Sequence, residues 1–192
     1  MGPAFPGLIV ALPDWISTVC SPGDVYPSIQ DRMGLVIEFA RTNVELETGG
    51  PFGAAVFDIE TGEILAPGVN LVVSAHAAVA HAEMLAIAIA GRVLGSFDLG
   101  VRATELVTSI EPCAMCLGAV PWSGVRQLVC GGRDEDARRI GFDEGDKPHD
   151  WIEQLRTRGI EVVRDVSRTE AVSVLEDYAR SGGIIYNSGD DQ

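Results

Sequence analysis

The sequence predicts a three-layer α/β/α domain around a five-stranded mixed sheet. A segment of helical period is followed by two strand-like runs joined by a tight turn, and after that helices alternate with strands to the end of the chain. Hydrophobic residues make up 46% of 192 positions, enough to fill one core of that size.

Residues 1–28 hold five prolines and little periodicity, and are expected to form an irregular arm. From Ile29 to about Glu47 the residues Met33, Val36, Ile37, Ala40 and Val44 recur at helical spacing, and Gly49-Gly50-Pro51 stops that helix. Phe52 to Ile59 is predicted as a strand, Glu60-Thr61-Gly62-Glu63 as a hairpin turn, and Ile64 to about Val73 as a second strand made irregular by Pro67 and Gly68. A strongly apolar helix is expected from His81 to Leu94 and a short strand from Glu105 to Ser109. A short helix from Cys113 to Val120, stopped by Pro121, and a strand from Val125 to Cys130 come next. Residues 131–150 form an acidic loop or broken helix. Trp151 to Arg158 is helical, Ile160 to Arg164 a strand and Thr169 to Arg180 a helix, and Ile184 to Asn187 a final strand or ordered arm. One domain over 29–187 follows, with a polar tail at 188–192.

The formal net charge is −14 and Lys147 is the only lysine. Such a surface repels phosphate backbones, so no nucleic-acid partner is expected. Arg138 and Arg139 sit among Asp134, Glu135 and Asp136, which leaves no broad basic stripe. The longest apolar run, Ala82 to Ala90, is too short to span a bilayer and carries Glu83. Residues 1–13 lack a basic region ahead of their apolar stretch and a cleavage site. A soluble, cytoplasmic protein with no membrane partner is expected.

Chemistry concentrates at His81-Ala82-Glu83 and Glu111-Pro112-Cys113-Ala114-Met115-Cys116. Cys113 and Cys116 are three apart, so on a helix their sulfurs share a face and reach one ion. Pro112 suits a helix entrance, where its missing N–H is no loss. With His81 at the start of the preceding helix, two helix N-termini point at the metal and favour thiolates. Three protein ligands leave a fourth tetrahedral position for water, the catalytic form of a Zn2+ site, with Glu83 free to move protons. Two other readings stand beside this one. A redox C-x-x-C would ordinarily follow an early strand, and this one lies deep in the chain. A structural zinc closed by His76 or Cys130 leaves Glu83 without a task. Cys20 and Cys130 themselves are read as ordinary thiols.

H-x-E followed by P-C-x-x-C is the mark of zinc-dependent base deaminases. On these residues the chain resembles the cytidine/deoxycytidylate deaminase-like superfamily, and within it the short zinc-dependent guanine deaminases of bacteria. The resemblance runs from about Met33 to Asn187. Its landmarks include Gly49-Gly50-Pro51-Phe52-Gly53, Asn70, Trp122-Ser123-Gly124-Val125, Gly141-Phe142-Asp143-Glu144-Gly145 and Ile185-Tyr186-Asn187. It implies that Asn70 bonds the edge of a base lying over the zinc, and that Phe52 and Trp122 line the pocket. Glu144 or its neighbour Asp143 would contact the purine and assist proton transfer, and Tyr186 would close the pocket. Residues 1–28 have no clear counterpart.

The expected reaction is hydrolysis of guanine to xanthine and ammonia, with the triazine ammeline as a side substrate and a homodimer as the assembly. A tRNA adenosine deaminase shares the metal motifs but needs a basic surface at the pocket mouth. A cytosine or nucleoside deaminase has the same metal site. A non-catalytic zinc-binding partner subunit would have no use for Glu83.

Overall fold

The arm carries more order than its prolines predict. In the computed structural model, which describes residues 7–187, Pro13 and Asp14 lead into a single helical turn, α1 (Ile16–Val19). Ile16 and Cys20 are buried. Further along, Val25 bridges to Glu63 and the Tyr26 amide donates to the Gly62 carbonyl at 2.8 Å, which ties the arm to the edge of the sheet. The first six residues of the arm and the tail at 188–192 lie outside the described residues.

Ser28 starts the long helix α2 (Ile29–Glu45) through a reciprocal cap: its hydroxyl accepts from the Asp31 amide at 3.0 Å, and Asp31 accepts from the Ser28 amide at 3.1 Å. Met33, Val36, Ile37 and Ala40 are buried as their spacing predicts. The hairpin follows as β1 (Gly53–Asp58) and β2 (Ile64–Val69). The Asp58 carboxylate fixes its turn by accepting from the amides of Glu60 and Thr61 at 2.9 Å each.

Next come α3 (Ala82–Leu94), β3 (Thr104–Ile110), α4 (Ala114–Ser123), β4 (Gln127–Gly132) and α5 (Asp134–Arg139). The chain continues through α6 (Trp151–Arg156), β5 (Glu161–Val163) and α7 (Arg168–Arg180). Strand order is β2-β1-β3-β4-β5, antiparallel from β2 to β3 and parallel from β3 to β5, the predicted five-stranded mixed sheet. One layer of helix, α2 with α7, covers one face over a core of Met33, Phe39, Phe57 and Leu175. The other face packs on α3 around Ala86, Leu106, Leu117 and Leu128. Every residue of β1 and β3 is buried, as strands covered on both faces must be.

One helix boundary differs from the predicted one, and two readings left open by the sequence are decided. Helix α4 runs through Pro121 to Ser123 and ends at Gly124, whose φ is +81°. A proline so near the C-terminus of a helix removes one backbone bond and leaves the preceding turns intact. Residues 131–150 contain the short helix α5, opened by Asp134, Glu135 and Asp136, which favour its positive end. Ile184 to Asn187 adds no strand, and runs as an extended arm held by side-chain bonds. Among the described residues no helix is long and apolar enough to cross a membrane.

Candidate active site

Two helix N-termini meet at the metal motifs. His81 caps α3 and Cys113 caps α4, both with extended backbone. His81 Nδ1 lies 3.5 Å from the Sγ of Cys113 and 3.5 Å from that of Cys116. A tetrahedral zinc with ordinary Zn–N and Zn–S bonds holds its nitrogen and sulfur ligands about 3.6 Å apart, so the three atoms fit such an ion. Among the described residues the cluster contains these three side chains and neither His76 nor Cys130. The Cys113 thiol is drawn down to about 4, first by the hydrogen bond from Cys116 and also by His81, against the effect of burial. Cys116 is pushed up because it supplies that hydrogen and is buried. Metal binding would require both sulfurs as thiolates, so a divalent cation would displace the remaining thiol proton.

Glu83 lies in the first turn of α3 with 6% of its surface exposed. Burial, and then the charge on Cys113, push its carboxyl above the usual range, while His81 opposes them. It faces a cavity of about 200 Å³ that also reaches His81 and Cys113. Asn70 reaches the cavity from just beyond β2. Its carbonyl accepts from Asn43 Nδ2 at 2.9 Å and from the Gly50 amide at 3.2 Å. A Cβ on Gly49 would stand 1.9 Å from that same oxygen, which accounts for the glycine pair before Pro51. Phe52 meets Phe142 edge-on at 4.9 Å, and Phe142 meets Tyr186 at 5.2 Å, forming an aromatic wall.

The carboxylates of Asp143 and Glu144 are separated by their surroundings. Asp143 is 65% exposed at its side chain, while Glu144 is buried and pushed up to about 8, mainly by burial and then by the charge on Cys113. The Asn187 side chain pins this loop, donating to the Gly141 carbonyl at 2.9 Å and accepting from the Asp143 amide at 2.9 Å.

Residues 27–132 match the model of the cytidine and deoxycytidylate deaminase zinc-binding region. The chain belongs to this family. A guanine deaminase from Bacillus subtilis (strain 168) is 39% identical over 108 residues, 56% of this chain and 67% of that protein. The solved structure of a guanine deaminase from Nitrosomonas europaea superposes with a TM-score of 0.88 at 42% identity, covering 93% of this chain and 100% of that one. A structure with 2,6-diaminopurine bound reaches 0.89 at 43% identity, over 95% of this chain and 97% of that one. The likeness in fold therefore takes in much of the arm as well as the deaminase core.

In this deaminase the cavity gathers Phe52, Asn70, His81, Glu83, Cys113, Asp143, Glu144 and Tyr186. Cys116 lies buried behind it at the metal corner. Trp122, expected to line the pocket, does not. It is 86% exposed near the C-terminal end of α4, where it borders a separate groove with Pro121 and Trp151. Five lining residues carry no sequence expectation of their own: Val72, Ala78, Glu111, Phe142 and Asn187. Phe142 and Asn187 stand inside landmark segments of the family resemblance, and Glu111 precedes the P-C-x-x-C motif.

Proposed function

We propose that this deaminase-family protein hydrolyses guanine to xanthine and ammonia, with zinc held by His81, Cys113 and Cys116. The reading is carried by the single cavity that joins the metal corner to Glu83, Asn70, Glu144 and an aromatic wall. It is supported by the near full-length likeness to guanine deaminases. Zinc, when bound there, acidifies a water enough to supply the nucleophile near neutral pH. Glu83 would hold and move the proton between the attacking water and the departing amine, for a net conversion of guanine and water to xanthine and ammonia. Asn70 offers a donor and an acceptor to the edge of the base, and Phe52, Phe142 and Tyr186 enclose its faces. Glu144, the buried member of its acidic pair, exchanges a proton with the purine ring, and Asp143 stays at the solvent side.

The cavity is smaller than the roughly 300–1,000 Å³ of most ligand pockets. Among the described residues, four carboxylates and no lysine or arginine line it. Both features favour a free base over a nucleotide or tRNA. Ammeline presents the same amino-carbonyl pattern and is the expected side substrate. Residues 29–187 would form the catalytic domain, acting in purine metabolism in the cytoplasm. Met115, Gly118 and Trp122 leave an exposed, largely apolar strip on α4, which supports a homodimer pairing through that helix.

The test is to incubate the zinc-loaded protein with free bases, nucleosides and tRNA and to follow products by chromatography. Xanthine and ammonia from guanine are expected. Faster deamination of tRNA adenosine than of guanine would sink the proposal.

A further inference from the structure

Lys147 has no place in the chemistry above and does not line the cavity, yet its side chain is only 8% exposed. A lysine ammonium at that depth is retained only where charge and hydrogen bonds meet it. Here Nζ donates to the Pro112 carbonyl at 2.9 Å and pairs with Asp134 Oδ1 at 2.5 Å. Pro112 stands between Glu111 and Cys113, so the ammonium grips the turn that carries a metal ligand.

Asp134 is the other half of the arrangement. Its amide donates to Glu111 Oε2 at 3.1 Å, and its second carboxylate oxygen accepts from Arg138 Nε at 2.6 Å. Arg138 then donates to the Gly145 carbonyl at 2.5 Å. One residue away, the Glu144 carbonyl accepts from the Ala114 amide at 2.8 Å. The two segments also touch closely. Gly145 has φ +69°, and a Cβ there would lie 2.9 Å from the Ala114 Cβ. The loop bearing Glu144 is thus joined to the turn bearing Cys113 by Lys147, by Ala114, and by Asp134 through Arg138.

We propose that Lys147, acting with Asp134, is a positioning residue that locks the Glu144 loop onto the Cys113 turn and so sets the substrate-side carboxyl against the metal corner. The proposal rests on the reading above in which Glu144 exchanges a proton with the base. A compact ammonium suits the task, because it serves a carbonyl and a carboxylate from one point where a planar guanidinium would need more room. The displacement at stake is small, but a reacting group misplaced by about 1 Å costs on the order of a hundredfold in rate.

The experiment compares Lys147→Met, Glu144→Ala and the double variant as zinc-loaded proteins, reading zinc content, guanine turnover and hydrogen exchange at the Ala114 amide. Lys147→Met is expected to keep its zinc and to lose about 10- to 100-fold in kcat. Exchange at Ala114 should rise at least ~10-fold. The double variant should be no slower than Glu144→Ala alone, since the brace has no purpose once the carboxyl is gone. Losses that multiply in the double variant, or an unchanged Ala114 amide, overturn the proposal. If Lys147→Met alone does not fold, Lys147→Met with Asp134→Asn removes both charges of the pair together and is read the same way. A protein that fails to deaminate guanine refutes the functional reading, and the Ala114 exchange still decides whether Lys147 holds the two segments together.

Discussion

The Asn70 side-chain amide donates to the hydroxyl of Tyr186 at 2.6 Å, across 116 positions of sequence. In the free protein the two polar groups that border the cavity satisfy each other, and an incoming base must insert beside an amide already held in one rotamer. Tyr186→Phe should lower stability by about 1 kcal/mol and raise KM for guanine several-fold, with little change in kcat. Asn70→Ala, which removes the amide itself, should cost at least ~10-fold in kcat/KM with zinc and folding retained. Thermal melts and steady-state kinetics on both variants check this, and an unaffected Asn70→Ala would remove that residue from base recognition.

Metal content offers a second prediction. One zinc per chain is expected by elemental analysis, since the described residues contain one three-ligand cluster. Cys113→Ala and Cys116→Ala should each lose the metal and the activity together. Full occupancy in both variants would refute the ligand assignment.

Glu83→Gln preserves shape and removes the proton acceptor. Turnover should fall at least ~100-fold while the zinc stays bound. Activity near that of the unmodified protein would transfer the proton shuttle to another group, Glu144 first.

Acid should loosen the contacts made by α5. Burial alone would raise the Asp136 carboxyl, but Arg168, the Arg133 amide and Arg139 outweigh it and hold it below the usual range. Arg168 Nε donates to it at 2.9 Å and the Arg133 amide at 2.8 Å. A carboxyl lowered in the folded state contributes its full stability above the unfolded value of about 3.9, and loses it as the pH falls further, through the folded value. Asp136→Asn should therefore destabilise the protein by about 1–3 kcal/mol at neutral pH and flatten the decline of stability below about pH 4. Urea melts across that range measure both.

What the residues reveal in advance depends on how local the governing physics is. Met33, Val36, Ile37 and Ala40 announce α2 because burial of one helix face forces their spacing. His81, Cys113 and Cys116 announce a metal corner because few other tasks require those three types so placed. The exposure of Trp122 follows from its place on α4, whose end beyond Pro121 no local pattern announces. The approach of the tail to Asn70 is a long-range event, and no local pattern in Ile184-Ile185-Tyr186 encodes it. Asp143 and Glu144 are adjacent and chemically alike, so only the fold reveals which one is buried.

The two sides of the cavity differ in how easily they come apart. His81 and Cys116 are 35 positions apart and anchored at helices, whereas Tyr186 sits on a short C-terminal segment with no regular structure and meets Asn70 across 116 positions. Closing the longer loop costs about 1 kcal/mol more in chain entropy, and a few side-chain bonds hold the segment down. Segments so lightly held open at low free energy, well before the domain unfolds. Mild urea should therefore abolish inhibition by a competing purine at concentrations where the protein still retains its metal, so that loss of recognition becomes an early warning of denaturation and loss of zinc a late one.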